Sequence, residues 1–249
     1  MRLKLIACKV LTREISHFIA QSENYIDTTF IRRDYHDTPE ILNRVLQEEI
    51  DKIDDNDDVY SHHHRYGSDD FDAILLGYGL CSNALVGLSS KKYKLVAPRG
   101  HDCITLYLGS KERYAKEFAA RKGIYWYNKG WIENSLMPSK ERYDAIYEKY
   151  VEDYGEENAD FLMEMEQGWL KEYQNGIFVS LNLYDDRAER EKTKEWTDFL
   201  GWDYDEIDGD SALLRDFIAG NWTPDRFLVV PPGKSIQASF DKNIIRVDG

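Results

Sequence analysis

The sequence predicts an α/β protein built as two βαβαβ halves with mainly parallel sheet, joined by a helical segment. Three observations predict it. Short apolar runs alternate with segments of helical period along the chain. Residues 72–78 read as a fully apolar strand bounded by glycine, the pattern of a central parallel strand. The order strand–helix–strand–helix–strand occurs in residues 3–77 and again in residues 177–230, without the residue identities that would mark a duplication. The halves are Rossmann-like in order. They are placed at 1–128 and 176–249 with 129–175 as the helical connection, either as separate units or as one compact domain.

The elements follow in order. Residues 3–7 form a first strand with a basic interruption at Lys4. Residues 10–21 carry Val10, Leu11, Ile15, Phe18 and Ile19 on a helical period. Residues 26–31 are β-branched and read as strand two. Thr38 is placed as an N-cap with Pro39 at the first helical position, and Ile41, Leu42, Val45, Leu46, Glu49 and Ile53 carry that helix. Residues 54–70 are rich in Asp and His and read as a loop. Strands are expected at 72–78, 94–98 and 124–127, with a helix at 110–121. Residues 139–172 read as two acidic helices split near Gly155. The second half runs strand 177–181, helix 187–200, strand 203–207, helix 211–219 and strand 227–230, ending in the rigid turn Pro231-Pro232-Gly233-Lys234.

Composition narrows the function. The 249 residues carry 32 Lys and Arg against 46 Asp and Glu, a net charge of −14. Such an excess repels nucleic acid and anionic membrane surfaces. Apolar content of 42% with 13% aromatics excludes a chain disordered by composition. The first apolar run is too short for a signal-peptide core, and no run of 18 apolar residues exists to span a membrane. A cytoplasmic, reducing setting is expected. Three cysteines are an odd count, which argues against a disulfide framework. Three is a usable number of metal ligands.

All three cysteines fall just after predicted strands: Cys8 after 3–7, Cys81 after 72–78, and Cys103 after 94–98. Ligands of open α/β sheets sit at strand carboxyl ends. If these strands are neighbours, the thiols meet on one edge. His101 and Cys103 are two apart, so in an extended segment they share a side. Three thiolates and one imidazole match a tetrahedral zinc shell, with His101 the first choice for the fourth ligand and His36 the second. Three thiolates with an open position suit an iron–sulfur cluster equally well. The long spacing matches no compact zinc-finger pattern, and small core cysteines near strand ends are common. A third reading is nucleophilic catalysis by Cys103, activated by His101 or by a helix starting near Ile104.

Other residues join the candidate site. Gly77, Gly79 and Gly100 would permit positive φ and close approach of backbone to a ligand, with Asn83 beside them. No third glycine completes a dinucleotide fingerprint, so no nicotinamide or flavin is expected. His36, after strand two, could act as acid/base or ligand, or simply lead into the helix cap. Arg99 could hold an anionic substrate group or be an ordinary surface arginine. His62-His63-His64 reads as a metal tract or a solvated loop. The aromatics at 125–131 line a pocket or fill a core. The acidic run 152–166 reads as a solvated helical face.

Four segments together resemble a known family: Leu5-Ile6-Ala7-Cys8-Lys9-Val10-Leu11, His36-Asp37-Thr38-Pro39, Leu75-Leu76-Gly77-Tyr78-Gly79-Leu80-Cys81-Ser82-Asn83, and Pro98-Arg99-Gly100-His101-Asp102-Cys103-Ile104-Thr105-Leu106. With Phe227-Leu228-Val229-Val230-Pro231-Pro232-Gly233, they are similar to the domain-of-unknown-function family DUF1638 over nearly the whole chain. The resemblance implies that Cys8, His36, Cys81, His101 and Cys103 are hallmark positions. Such proteins occur in anaerobic archaea and bacteria beside corrinoid-dependent methyltransferase systems, which implies methyl or one-carbon metabolism. Zinc enzymes that activate thiols for methyl transfer use a similar His-x-Cys pair with a distant Cys, on a different fold. The expectations are therefore a metalloenzyme acting on a small-molecule substrate or with a corrinoid protein, a non-catalytic accessory protein that carries a metal or a corrinoid, or a metal-free Cys/His thiol enzyme.

Overall fold

A computed structural model describes residues 1–55 and 70–249, so the His62-His63-His64 tract lies outside the described residues. In chain order the elements are β1 (Arg2–Cys8), α1 (Thr12–Ile19), β2 (Tyr25–Ile31), α2 (Pro39–Asp54), β3 (Ala73–Gly77) and β4 (Leu95–Pro98). Then come α3 (Ile104–Leu108), α4 (Lys111–Ala120), β5 (Ile124–Tyr127), α5 (Lys129–Asn134), α6 (Lys140–Tyr154) and α7 (Glu156–Glu166). The chain closes with β6 (Asn175–Ser180), α8 (Arg187–Leu200), β7 (Asp203–Asp208), α9 (Ala212–Ala219), β8 (Phe227–Val230), β9 (Ile236–Ala238) and β10 (Ile245–Val247). Gly155, at φ +80°, separates α6 from α7 where the acidic segment was expected to split.

Each element near the site has a local cause. Leu3–Cys8 is buried throughout, as a strand covered on both faces must be. Lys4 is buried with it, and its ammonium lies 3.3 Å from the Asp27 carboxylate on β2. On α1, Glu14, Ile15 and Phe18 share the buried face. On α2, Pro39 fixes the first turn, and Leu42, Leu46, Ile50 and Ile53 form the buried stripe. Polar residues of α2 hold the chain that follows β3. Asn43 Nδ2 donates to the carbonyls of Ala84 and Val86, each at 2.8 Å. Gln47 exchanges two hydrogen bonds with the Ser89 backbone.

One sheet runs β2-β1-β3-β4-β8, with the first four strands parallel and β8 antiparallel to β4. A second sheet, β5-β6-β7, is wholly parallel, and β9 and β10 pair as an antiparallel ribbon. The protein is thus mixed α/β with mainly parallel sheet. The expected pair of βαβαβ halves is not what forms. The strand at 227–230 was read as the third strand of the second half, yet β8 leaves β7 and closes the edge of the first sheet. Its apolar run Phe227-Leu228-Val229-Val230 pairs with Leu95–Pro98. The helix before it goes the same way: Leu213, Leu214, Phe217 and Ile218 of α9 are buried, and α9 packs against α1.

Two compact units result, Met1–Tyr114 with Asp210–Gly249, and Ala115–Gly209. In the second unit the core is aromatic: Tyr127, Phe178 and Trp202 are buried, with Tyr125, Trp131, Tyr173 and Trp196 packed against them. Tyr125, Tyr127 and Trp131 of the aromatic segment 125–131 therefore belong to the core of this unit. Among the described residues no helix is long and apolar enough to cross a membrane.

Candidate functional site

The direction in which strands are added reverses at β1, with β2 on one side and β3 on the other. In open α/β sheets the carboxyl ends at such a reversal form the ligand crevice. Cys8 is the last residue of β1, Cys81 lies just past β3, and Cys103 lies just past β4. The three strands are adjacent and parallel, so all three cysteines stand at one edge of one sheet. All are free and buried.

Cys8 Sγ lies 4.0 Å from His36 Nδ1, which a short 3-10 turn after β2 brings to the sheet edge. Burial pushes the Cys8 thiol up to about 11, with the Val10 backbone and the Arg33 charge opposing. Burial and Arg33 together lower the pKa of His36, favouring the neutral imidazole. The His36 ring stacks on Tyr78 with centroids 5.8 Å apart. Tyr78 is buried next to the Cys8 and Cys81 thiols, and its hydroxyl meets no hydrogen-bond partner among the described residues.

Cys81 opens a run of three left-handed residues, with φ of +47° at Cys81, +54° at Ser82 and +70° at Asn83. Such conformations are unfavourable for residues with a Cβ, and several in a row gather at functional sites. Two loops meet here. The Leu80 and Cys81 amides donate to the Gly100 and His101 carbonyls, at 2.8 and 2.9 Å. The backbone of Cys103 donates toward the Cys81 sulfur, as does that of Gly79. Burial raises the Cys81 thiol strongly, and the nearby Asp102 and Cys8 raise it further.

The glycines act differently from the expectation. Positive φ falls on Cys81, Ser82 and Asn83, and not on Gly77, Gly79 or Gly100. What these glycines allow is close approach of the protein to itself. A Cβ on Gly79 would stand 2.6 Å from the Asp102 backbone, and one on Gly77 2.7 Å from Ala7 Cβ. On Gly100 it would meet Thr105 Cβ at 2.8 Å. Asn83 is exposed on the turn.

His101 and Cys103 do not share a side. The segment is a turn into α3 rather than extended chain, with Cys103 in the right-handed helical region. Cys103 is buried while His101 is exposed, its ring 5.9 Å from that of Tyr114. Asp102 between them accepts hydrogen bonds from Tyr114 Oη (2.8 Å) and the Ile104 amide (2.9 Å). Burial raises the pKa of Asp102 against those bonds. Arg99 is committed to structure: its guanidinium donates to the carbonyls of Pro224 (2.7 Å), Asn243 (3.0 Å) and Ile245. Among the described residues no three His, Cys, Asp or Glu side chains stand positioned to hold a metal ion.

Two features escaped the sequence reading. Glu14 is fully buried beside Tyr107, whose hydroxyl also feels Cys103 and Cys8. Its signal was a carboxylate on the same helical face as Leu11 and Phe18. Tyr78 sat inside the quoted Gly77-Tyr78-Gly79 segment, at the end of a strand buried along its length.

The sequence profile of a family described as "Protein of unknown function (DUF1638)" matches residues 30–218, well over half of the chain. The chain belongs to the DUF1638 family. The matched span includes His36, Cys81, His101 and Cys103 and begins after Cys8. No curated protein and no solved structure matches the chain significantly.

Proposed function

We propose that this DUF1638 protein binds a soft metal, as zinc or as an iron–sulfur cluster, through Cys8, Cys81 and Cys103. One observation carries the reading: three free, buried cysteines stand at the carboxyl ends of three adjacent parallel strands, where strand order reverses. The donor chemistry fits, since three sulfurs and a neutral imidazole are a soft shell. His36 is the better fourth donor, because it already faces the Cys8 sulfur while His101 faces solvent. The unpartnered Tyr78 hydroxyl is a further group for a ligand to satisfy. The side chains as they stand do not close a shell, so uptake entails their rearrangement and loss of the thiol protons.

We assign the site to methyl or one-carbon, corrinoid-linked metabolism, as the family resemblance implies. Bound zinc would supply Lewis acidity that lowers the pKa of a substrate thiol. The residues on hand would enclose the substrate: Tyr78 and His36 form a stacked wall, and Ser82 and Asn83 of the left-handed turn form the exposed lip. A metal-free thiol enzyme is the weaker reading. Burial holds Cys8 and Cys81 protonated, and His101 is exposed while Cys103 is buried. An accessory role, carrying a metal or a corrinoid to a partner, uses the same site without turnover.

The test is metal content and absorption spectrum of protein purified without oxygen, beside Cys81→Ser. One metal centre per chain, lost in the variant, is the expected result. A broad visible band identifies iron–sulfur, and a colourless stoichiometric metal identifies zinc. Substoichiometric metal that Cys81→Ser leaves unchanged would overturn the reading.

A further inference from the structure

The α6–α7 hairpin carries an apolar surface that neither the sheet edge nor the cysteines use. A groove of about 580 Å³ is lined by Tyr150 and Tyr154 of α6 and by Asn158, Phe161 and Leu162 of α7. On α6 the tyrosines at 143, 147, 150 and 154 repeat at helical spacing, and on α7 the positions 158, 161, 162 and 165 do the same. Tyr154, Phe161 and Met165 are 58%, 63% and 65% exposed. No residue of α6 is buried, although the helix has fifteen residues. Large apolar side chains clustered this way on a polar helix pair mark an interaction surface.

Charge says what covers it. Residues 147–166 hold eight Asp and Glu (148, 152, 153, 156, 157, 160, 164 and 166) against one Lys (149). Among the described residues Glu166 pairs with Arg142, and neither lines the groove. Asp153, Glu157 and Glu164, each three residues from a lining residue and so flanking the groove, are exposed. A second copy would bring two such acidic rims together, which like-charge repulsion disfavours. Anionic lipid is repelled for the same reason. An amphipathic helix with an apolar stripe and Lys or Arg on its flanks meets both features.

We propose that the α6–α7 hairpin is a docking groove for a basic amphipathic helix of a partner protein. The apolar anchors of that helix, spaced i, i+3 or i+4, and i+7, enter between Tyr150, Tyr154 and Phe161, and its cations meet the rim carboxylates. The surface lies within the second compact unit, so the inference stands apart from the cysteine site and from the function proposed for it.

The experiment uses the full chain and two synthetic helical peptides with the same leucine stripe, one flanked by lysine and one by glutamate. Binding is read by calorimetry at low and at physiological salt, beside a Phe161→Ser/Met165→Ser variant that keeps every carboxylate. The lysine peptide should bind, weaken at least tenfold in the variant, and weaken with salt; the glutamate peptide should not bind. Both substitutions are at exposed positions, and circular dichroism and thermal midpoint of the variant should match the parent. Equal binding of the lysine peptide to parent and variant would reduce the effect to bulk charge and overturn the groove. Concentration-dependent dimerisation that the variant abolishes would assign the groove to a second copy and overturn the partner.

Discussion

Cys8 and Tyr78 make the site's electrostatics testable one residue at a time. The folded Cys8 thiol titrates near 11 instead of the ordinary 9.0. Between those values the unfolded chain releases the proton and the folded chain keeps it. Stability from this source is therefore fully present below pH 9 and is lost as pH rises through 11, by about 3 kcal/mol. Urea midpoints of the metal-free protein at pH 7.5 and 10.5 should diverge, and Cys8→Ser should shrink the difference; an unchanged slope would refute the assignment. For Tyr78→Phe the expectation is a gain of about 1 kcal/mol in the metal-free protein, since a buried hydroxyl without a partner is removed. A loss in the same measurement would show that the hydroxyl is bonded. At this scale the cysteines were legible because strand ends are. The orientation of His101 was not, because two residues apart means one side only in extended chain, and residues 101–103 already turn into α3.

The turn after β3 is the element that shapes the crevice. Asn83 sits at φ +70° with a Cβ, and glycine adopts that region freely. Asn83→Gly should change stability little or raise it by about 0.5 kcal/mol, since asparagine tolerates the region better than most residues. Gly79→Ala should cost about 3 kcal/mol or more, because the added carbon meets backbone and not a movable side chain. Thermal midpoints of the two variants check the pair, and a Gly79→Ala protein as stable as the parent would remove the close approach from the account. The elements themselves were readable from period and burial, with β2, α2 and β5 falling close to their expected places. The β9–β10 ribbon was not, because its strands have three residues each and draw their pairing from contacts rather than from propensity.

Over the whole molecule, chain order misled where pairing is distant in sequence. A run such as Phe227–Val230 has the same pattern whether it extends the second sheet or closes the first, and only the fold decides. Two expectations follow. A fragment of residues 1–128 lacks α9 and β8, leaving the α1 face and the β4 edge bare, and should aggregate instead of unfolding cooperatively as a monomer. Arg99→Met should lower stability by about 2–3 kcal/mol through the loss of charged hydrogen bonds to the carbonyls of Pro224, Asn243 and Ile245, without altering metal content. Calorimetry and metal analysis of the same preparation separate the two effects, and metal loss would return Arg99 to the site.

The central claim is that three thiols from three strands form one site. It is tested most directly by anaerobic titration of the metal-free protein with cobalt(II), counting protons released and recording the sulfur-to-cobalt absorption. Saturation at one equivalent is expected, with one proton released for each thiolate formed, affinity that rises with pH, and loss of the band in each of Cys8→Ser, Cys81→Ser and Cys103→Ser. Saturable binding that any one of these variants leaves intact, or no sulfur-to-cobalt band at all, would contradict it.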